Sequence, residues 1–101
     1  MKKISRPPNY VVERVQTGVR IEKRLLKVLR ALADYHDLTL GDLVEGIVLH
    51  AFDGKPPFSA ANLERIKDLK RFYGLDLDSS ASHRLVERAV LETHGKRQTT
   101  R

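Results

Sequence analysis

Apolar and polar residues alternate one by one over residues 15–21. Successive side chains of a β-strand point to opposite faces, so this period of two predicts a strand with one apolar and one polar face. The apolar face carries Val15, Thr17, Val19 and Ile21, and the polar face carries Gln16, Gly18 and Arg20.

After Ile21 the apolar residues recur every three or four positions, which predicts a first helix over about residues 22–36. Thr39 precedes a second such pattern, and Asp42 follows it three places on, as in a helix-capping signature. We therefore expect a second helix that starts at Thr39 or Leu40 and runs for about 13 residues. Asp53-Gly54 should stop it.

Two more helices are predicted in the C-terminal half. Ser59 can cap a helix that Gly74 closes, and residues 78–80 can cap a last helix that Gly95 ends. The expected organisation is a flexible basic arm over 1–10, a unit of one strand and two helices over 11–53, a helical extension over 54–95 and a disordered basic tail over 96–101. The predicted fold class is mainly α.

The predicted strand has no second strand within reach of a hairpin turn. Its backbone N–H and C=O groups need partners, and an unpaired edge favours pairing with another chain. The same strand of a second copy can supply them, antiparallel about a twofold axis. We expect a homodimer with one shared ribbon, in which Val19 and Ile21 pack over the helices at Leu25, Leu29, Val44 and Val48.

Charge is unevenly distributed along the 101 residues. Lysine and arginine number 19 against 13 acidic residues, giving a net charge of +6. Residues 1–30 alone carry nine basic and two acidic residues, a net +7. Such a concentrated basic segment is typical of proteins that bind polyanions, although it also occurs on merely solvated surfaces.

The run from Gln16 to Ile21, the helical pattern that follows and the Leu38-Thr39-Leu40 segment together resemble the Arc/MetJ/CopG ribbon-helix-helix superfamily of DNA-binding proteins over about residues 13–53. In that family the dimeric ribbon enters the major groove. The resemblance implies base contacts from Gln16, Gly18 and Arg20. It also implies a phosphate held at the start of the second helix, near Thr39, Leu40 and Gly41.

The side-chain chemistry agrees with these roles. Arg20 can donate two hydrogen bonds to guanine, and Gln16 can pair with adenine. Lys23 and Arg24 lie just past the ribbon, where they can contact flanking phosphates. Gly18 stands where the family usually has a side chain, which limits direct base recognition to Gln16 and Arg20.

Other classes of function have little support. The chain has no cysteine, and its four histidines lack the i, i+4 spacing of a helical metal pair, so we expect no metal and no cofactor. No catalytic arrangement is recognisable, and we expect no enzymatic activity. Apolar stretches are far shorter than the roughly 18 residues of a membrane span, so a cytoplasmic, nucleoid-associated protein without membrane contact is expected.

The sequence thus predicts a sequence-specific DNA-binding protein, a transcriptional repressor of prokaryotic, plasmid or phage type, acting as a dimer or as dimers side by side. The alternative is an antitoxin or a plasmid partition or relaxosome accessory protein that binds a protein partner through residues 59–94. The C-terminal helices are either that partner module or part of the DNA-binding body, with Arg84 and Arg88 reaching phosphates. A protein-binding adaptor with an acidic partner is a further alternative.

Overall fold

A computed structural model describes residues 9–88 of the chain. Within that range lie helix α1 (Lys23–Tyr35), helix α2 (Leu40–Phe52), helix α3 (Ala60–Tyr73) and a short 3-10 helix (Ser79–Ala81). The described part is mainly helical, as predicted. Each α-helix begins and ends within a residue or so of the position that the sequence pattern indicates.

The N-cap of helix α1 is Glu22, which is longer than the short polar residues usual at that position. The carboxylate of Glu22 accepts a hydrogen bond from the Leu25 N–H at 2.8 Å. At the other end, Asp37 takes a left-handed conformation with φ 57°. The Leu38 N–H then bonds back to the Ala33 carbonyl at 2.9 Å, which closes the helix as a glycine commonly does.

The caps of α2 and α3 follow the predicted pattern. The Thr39 hydroxyl accepts from the Asp42 N–H at 3.1 Å, and the Ser59 hydroxyl accepts from the Asn62 N–H at 3.1 Å. Gly74 closes α3 in the left-handed conformation with φ 69°, where a residue with a Cβ is strained.

The core forms where α1 packs against both α2 and α3. Its centre consists of Leu32, only 1% exposed, with Ala33 and Leu43 beside it. Half-buried side chains from all three helices and from the loop before α3 surround this centre: Leu29, Ile47, Phe58, Ile66 and Leu69. Helix α3, which belongs to the predicted extension, therefore shares one core with α1.

No strand is present within residues 9–88 of the single chain. Residues 9–22 have no regular secondary structure, although none of them has a positive φ. A strand is defined by hydrogen bonds to a neighbouring strand, and within residues 9–88 no second segment is placed to form them.

The predicted last helix is wrong over residues 82–88, which are not helical. The Asp78 carboxylate binds the Ser80 N–H at 3.0 Å, but this cap starts only one 3-10 turn. Ser82 then leaves with ψ 134° and His83 turns left-handed with φ 65°, and neither conformation continues a helix. The remainder of that predicted helix, most of the basic arm and the basic tail lie outside the described residues.

Among the helices described, none combines the length and the apolar character that crossing a membrane requires.

Candidate nucleic-acid interface

The apolar face of the alternating segment is uncovered. Val15 is 81% exposed and Val19 75%, and Ile21, next to α1, is partly covered at 41%. The expected packing of Val19 over the helices is therefore not formed within one chain. At Val15 and Val19 the described part of the chain shields little of this apolar face.

Helix α2 divides its apolar residues between two faces. Leu43 and Ile47 pack into the core, whereas Val44, Val48 and Phe52 remain exposed on the adjacent side. Helix α1 packs against α2 and covers only the side that carries Leu43 and Ile47. The exposed face of α2 is a further apolar surface within the described residues.

The polar face of the segment is exposed as well. The Gln16 side chain makes no hydrogen bond within residues 9–88. A Cβ built on Gly18 meets nothing within 4 Å, and its φ is not positive, so neither space nor backbone conformation in one chain requires glycine there.

Arg20 pairs with an acid from the far end of the described chain. Its Nε donates to Oε1 of Glu87 at 3.0 Å, and its Nη2 donates to Oε2, so that the pair is bidentate. Both side chains remain largely exposed, 82% for Arg20 and 61% for Glu87. Hydrogen bonding with Arg20, followed by its charge, lowers the pKa of Glu87.

Arg24 is anchored more firmly than Lys23. Its Nε pairs with Glu22 at 3.0 Å, and its Nη1 donates to the Gly74 carbonyl at 2.8 Å and to Asp76 at 3.1 Å. These bonds tie the start of α1 to the end of α3. Lys23 is exposed on the first turn of α1, so of the two predicted phosphate contacts it is the more available.

Arg14 is a residue that the sequence interpretation did not select. Its Nε and Nη2 each bond to Glu45 at 2.8 Å, and Nη2 also reaches Asp42 at 3.3 Å. These contacts hold the segment against the beginning of α2. Arg14 lies two residues before Gln16 and therefore on the predicted polar face, and this spacing could have identified it as a candidate site residue.

The start of α2 has free backbone donors. Thr39 satisfies the Asp42 N–H, whereas the N–H groups of Leu40 and Gly41 find no acceptor within residues 9–88. Free N–H groups and the positive end of the helix dipole favour an anion. Asp42 and Glu45 oppose that preference, and Arg14, which pairs with both, offsets one of their two negative charges.

Two of the histidines have structural hydrogen bonds. His36 Nε2 lies 2.8 Å from the Asn62 Oδ1, and His50 Nδ1 lies 2.7 Å from the Gly46 carbonyl. In the described part of the chain, no group of three or more potential metal-ligating side chains comes together.

The eight predicted site residues thus occupy separate surroundings. Arg20 and Arg24 lie beside residues 74–88, Thr39 to Gly41 lie beside Arg14, and Gln16, Gly18 and Lys23 face solvent. Comparison of the chain with protein-family models, with curated proteins and with solved structures gave no match.

Proposed function

We propose that this chain binds double-stranded DNA as a homodimer and acts as a transcriptional repressor. Residues 15–21 of two copies pair as an antiparallel ribbon that enters the major groove. The observation that carries the proposal is the uncovered apolar face of that segment, with Val15 and Val19 largely exposed.

A second copy accounts for two features at once. Pairing the segments supplies hydrogen-bond partners for backbone groups that lack them in one chain. It also buries Val15 and Val19 against apolar surface, such as the exposed face of α2 at Val44 and Val48. Each aliphatic side chain that becomes fully buried contributes on the order of 1.5 to 3 kcal/mol.

With the apolar face turned inward, the polar face of the ribbon is left for DNA. The Gln16 amide and the Arg20 guanidinium are the groups that can pair with two acceptors or donors on a base edge. Within residues 9–88, neither space nor backbone conformation requires a glycine at position 18. A glycine there allows the DNA to approach the backbone closely.

The free N–H groups of Leu40 and Gly41 are proposed to hold a phosphate, with Lys23 as a flanking contact. Arg24 is a weaker candidate because it is already bound to Glu22, Gly74 and Asp76. Phosphate contacts fix the orientation of the dimer, and the base contacts supply the sequence preference.

The alternative, a protein-binding role for residues 59–94 as in an antitoxin or a partition accessory protein, has less support in α3. Ile66 and Leu69 of α3 pack on the core around Leu32. A segment that waits for a partner is commonly disordered until it binds, whereas α3 already contributes to the fold.

Selection of binding sites from random duplex DNA tests the proposal. We expect two half-sites related by twofold symmetry. Arg20→Ala should reduce the preference at one base position in each half-site by roughly 5- to 150-fold. Arg71→Ala, which removes an exposed arginine on α3, is the control and should leave the selected sequence unchanged. Recovery of no enriched sequence, or equal weakening by Arg20→Ala on all sequences, contradicts the proposed base recognition.

A further inference from the structure

The segment that follows α3 contacts the N-terminal region at two arginines. Glu87 binds Arg20 through both carboxylate oxygens, and Asp76 with the Gly74 carbonyl binds Arg24. Residues 74–88 therefore supply acceptors to two of the side chains for which DNA contacts are proposed. Gly74 and Asp76 belong to an anchor that joins α1 and α3, but Glu87 touches nothing but Arg20 by hydrogen bonding within residues 9–88.

The Arg20 pair has the geometry of a base contact. A carboxylate presents two oxygens side by side to the two parallel N–H donors of a guanidinium. Guanine presents O6 and N7 to the same kind of fork in the major groove. The N–H groups of Nε and Nη2 that point at Glu87 cannot at the same time bind O6 and N7 of a guanine, whereas Nη1 makes no hydrogen bond within residues 9–88.

We propose that Glu87 competes with DNA for Arg20 within the same chain, an inference that rests on the proposed DNA-binding function. Arg20 must leave the carboxylate before this edge of the guanidinium, formed by Nε and Nη2, can contact a base. Once Arg20 has left, the negative charge of Glu87 stays beside the phosphate backbone and repels it. Both effects lower the affinity for DNA, so the protein binds DNA less tightly with Glu87 than it would without it.

The exposure of the pair makes this competition reversible. Because both side chains are more than half exposed, water and salt screen their attraction, and the pair contributes little to folding stability. Arg20 can therefore exchange between Glu87 and DNA at small cost. The expected effect of removing the competitor is correspondingly modest, about two- to fivefold in affinity at low salt.

The test compares Glu87→Gln with Glu64→Gln in the full chain. Each change removes one negative charge, but Glu64 lies on α3 and pairs with Lys67, away from Arg20. Affinity for a mixed-sequence duplex and for a site recovered by selection is measured at low salt. We expect Glu87→Gln to bind both duplexes about two- to fivefold more tightly than Glu64→Gln. In an Arg20→Gln background the advantage of Glu87→Gln over Glu64→Gln should become smaller, because only the repulsion between Glu87 and the phosphates remains.

A second measurement requires no DNA. In the free wild-type protein, the side-chain Nε–H of Arg20 should exchange with water more slowly in NMR spectra than in Glu87→Gln. Equal exchange in the two proteins overturns the competition, and so does equal DNA affinity of Glu87→Gln and Glu64→Gln while the wild type binds DNA. Failure of every variant to bind duplex DNA overturns the proposed function itself, whether or not the NMR result shows the pair.

Discussion

Arg14 is joined to Glu45 by two hydrogen bonds of 2.8 Å, which connect the N-terminal segment to helix α2 across 31 positions of the sequence. The same guanidinium reaches Asp42. This contact attaches the segment to the first turns of α2, the helix that begins with the free N–H groups of Leu40 and Gly41. The placement of the proposed ribbon relative to the proposed phosphate site therefore depends on Arg14.

Replacing Arg14 should loosen the segment without unfolding the protein. In Arg14→Gln, limited proteolysis should cut within residues 9–22 faster than in the wild type, because the contacts with Asp42 and Glu45 are lost. The melting temperature should change little, since surface ion pairs contribute little to stability. Arg71→Gln, which breaks an exposed pair with Asp68 on α3, is the matched control. Equal cleavage rates in all three proteins contradict a tethering role.

The tether should also weaken in acid. Hydrogen bonding from Arg14, followed by its charge, lowers the pKa of Glu45 below the usual 4.5. A carboxylate whose folded pKa is lowered contributes stability above its unfolded pKa, and the contribution is lost as the pH falls through the folded value. We therefore expect the contact to be intact at neutral pH and to break only below about pH 4.5.

The Arg14 side-chain NMR signal, followed during acid titration, measures this change. Asp42 also faces Arg14, so the titration is repeated in Glu45→Gln, where the main transition should disappear. An unchanged transition in that variant assigns the effect to another carboxylate and contradicts the prediction for Glu45.

The shared core predicts a large effect at Leu32. Its side chain is almost completely buried where α1 meets α2 and α3, so Leu32→Ala should lower the free energy of unfolding by about 2 to 5 kcal/mol. Leu49→Ala makes the same chemical change at a side chain that is 65% exposed on α2 and should cost much less. Chemical denaturation measures both. Similar losses in the two variants would mean that Leu32 is not at the centre of the core.

The two faces of the alternating segment predict opposite effects on assembly. Val19→Asp places a charge on the face that a second copy is proposed to cover, so it should dissociate the dimer, because a buried, unpaired charge is costly. Gln16→Asp places the same charge on the opposite, polar face, so the sedimenting mass should remain that of the dimer. Sedimentation equilibrium distinguishes them. A wild-type protein that sediments as a monomer over the whole concentration range contradicts the shared ribbon.

The helices could be predicted from the sequence because each has local signals. Thr39 and Ser59 mark the starts of α2 and α3 by side-chain caps, and Gly74 marks an end by its left-handed conformation. Glu22 is not among the usual capping residues, yet its carboxylate performs that role for α1, and the apolar period located the helix without it. Helix boundaries depend on neighbouring residues, so a single sequence is enough to indicate them.

Features that depend on distant residues could not be predicted in this way. The pairs of Arg14 with Glu45 and Arg20 with Glu87 join residues 31 and 67 positions apart, and no local pattern indicates them. The prediction of a last helix is wrong over residues 82–88 for a related reason. Its apolar spacing was adequate, but the left-handed His83 breaks the backbone path within it. The proposed ribbon takes its hydrogen-bond partners from a second chain, and residues 9–88 of one copy hold no strand that supplies them.

Titration of the full chain into a fluorescent DNA duplex, followed by anisotropy at several salt concentrations, tests the central claim most directly. We predict saturable binding in which two chains, or a multiple of two, occupy each duplex. The logarithm of the affinity should fall linearly with the logarithm of the salt concentration, with a slope of about 0.9 for each phosphate contact. Absence of binding even at low salt, or binding of one chain per duplex, contradicts a dimeric DNA-binding ribbon.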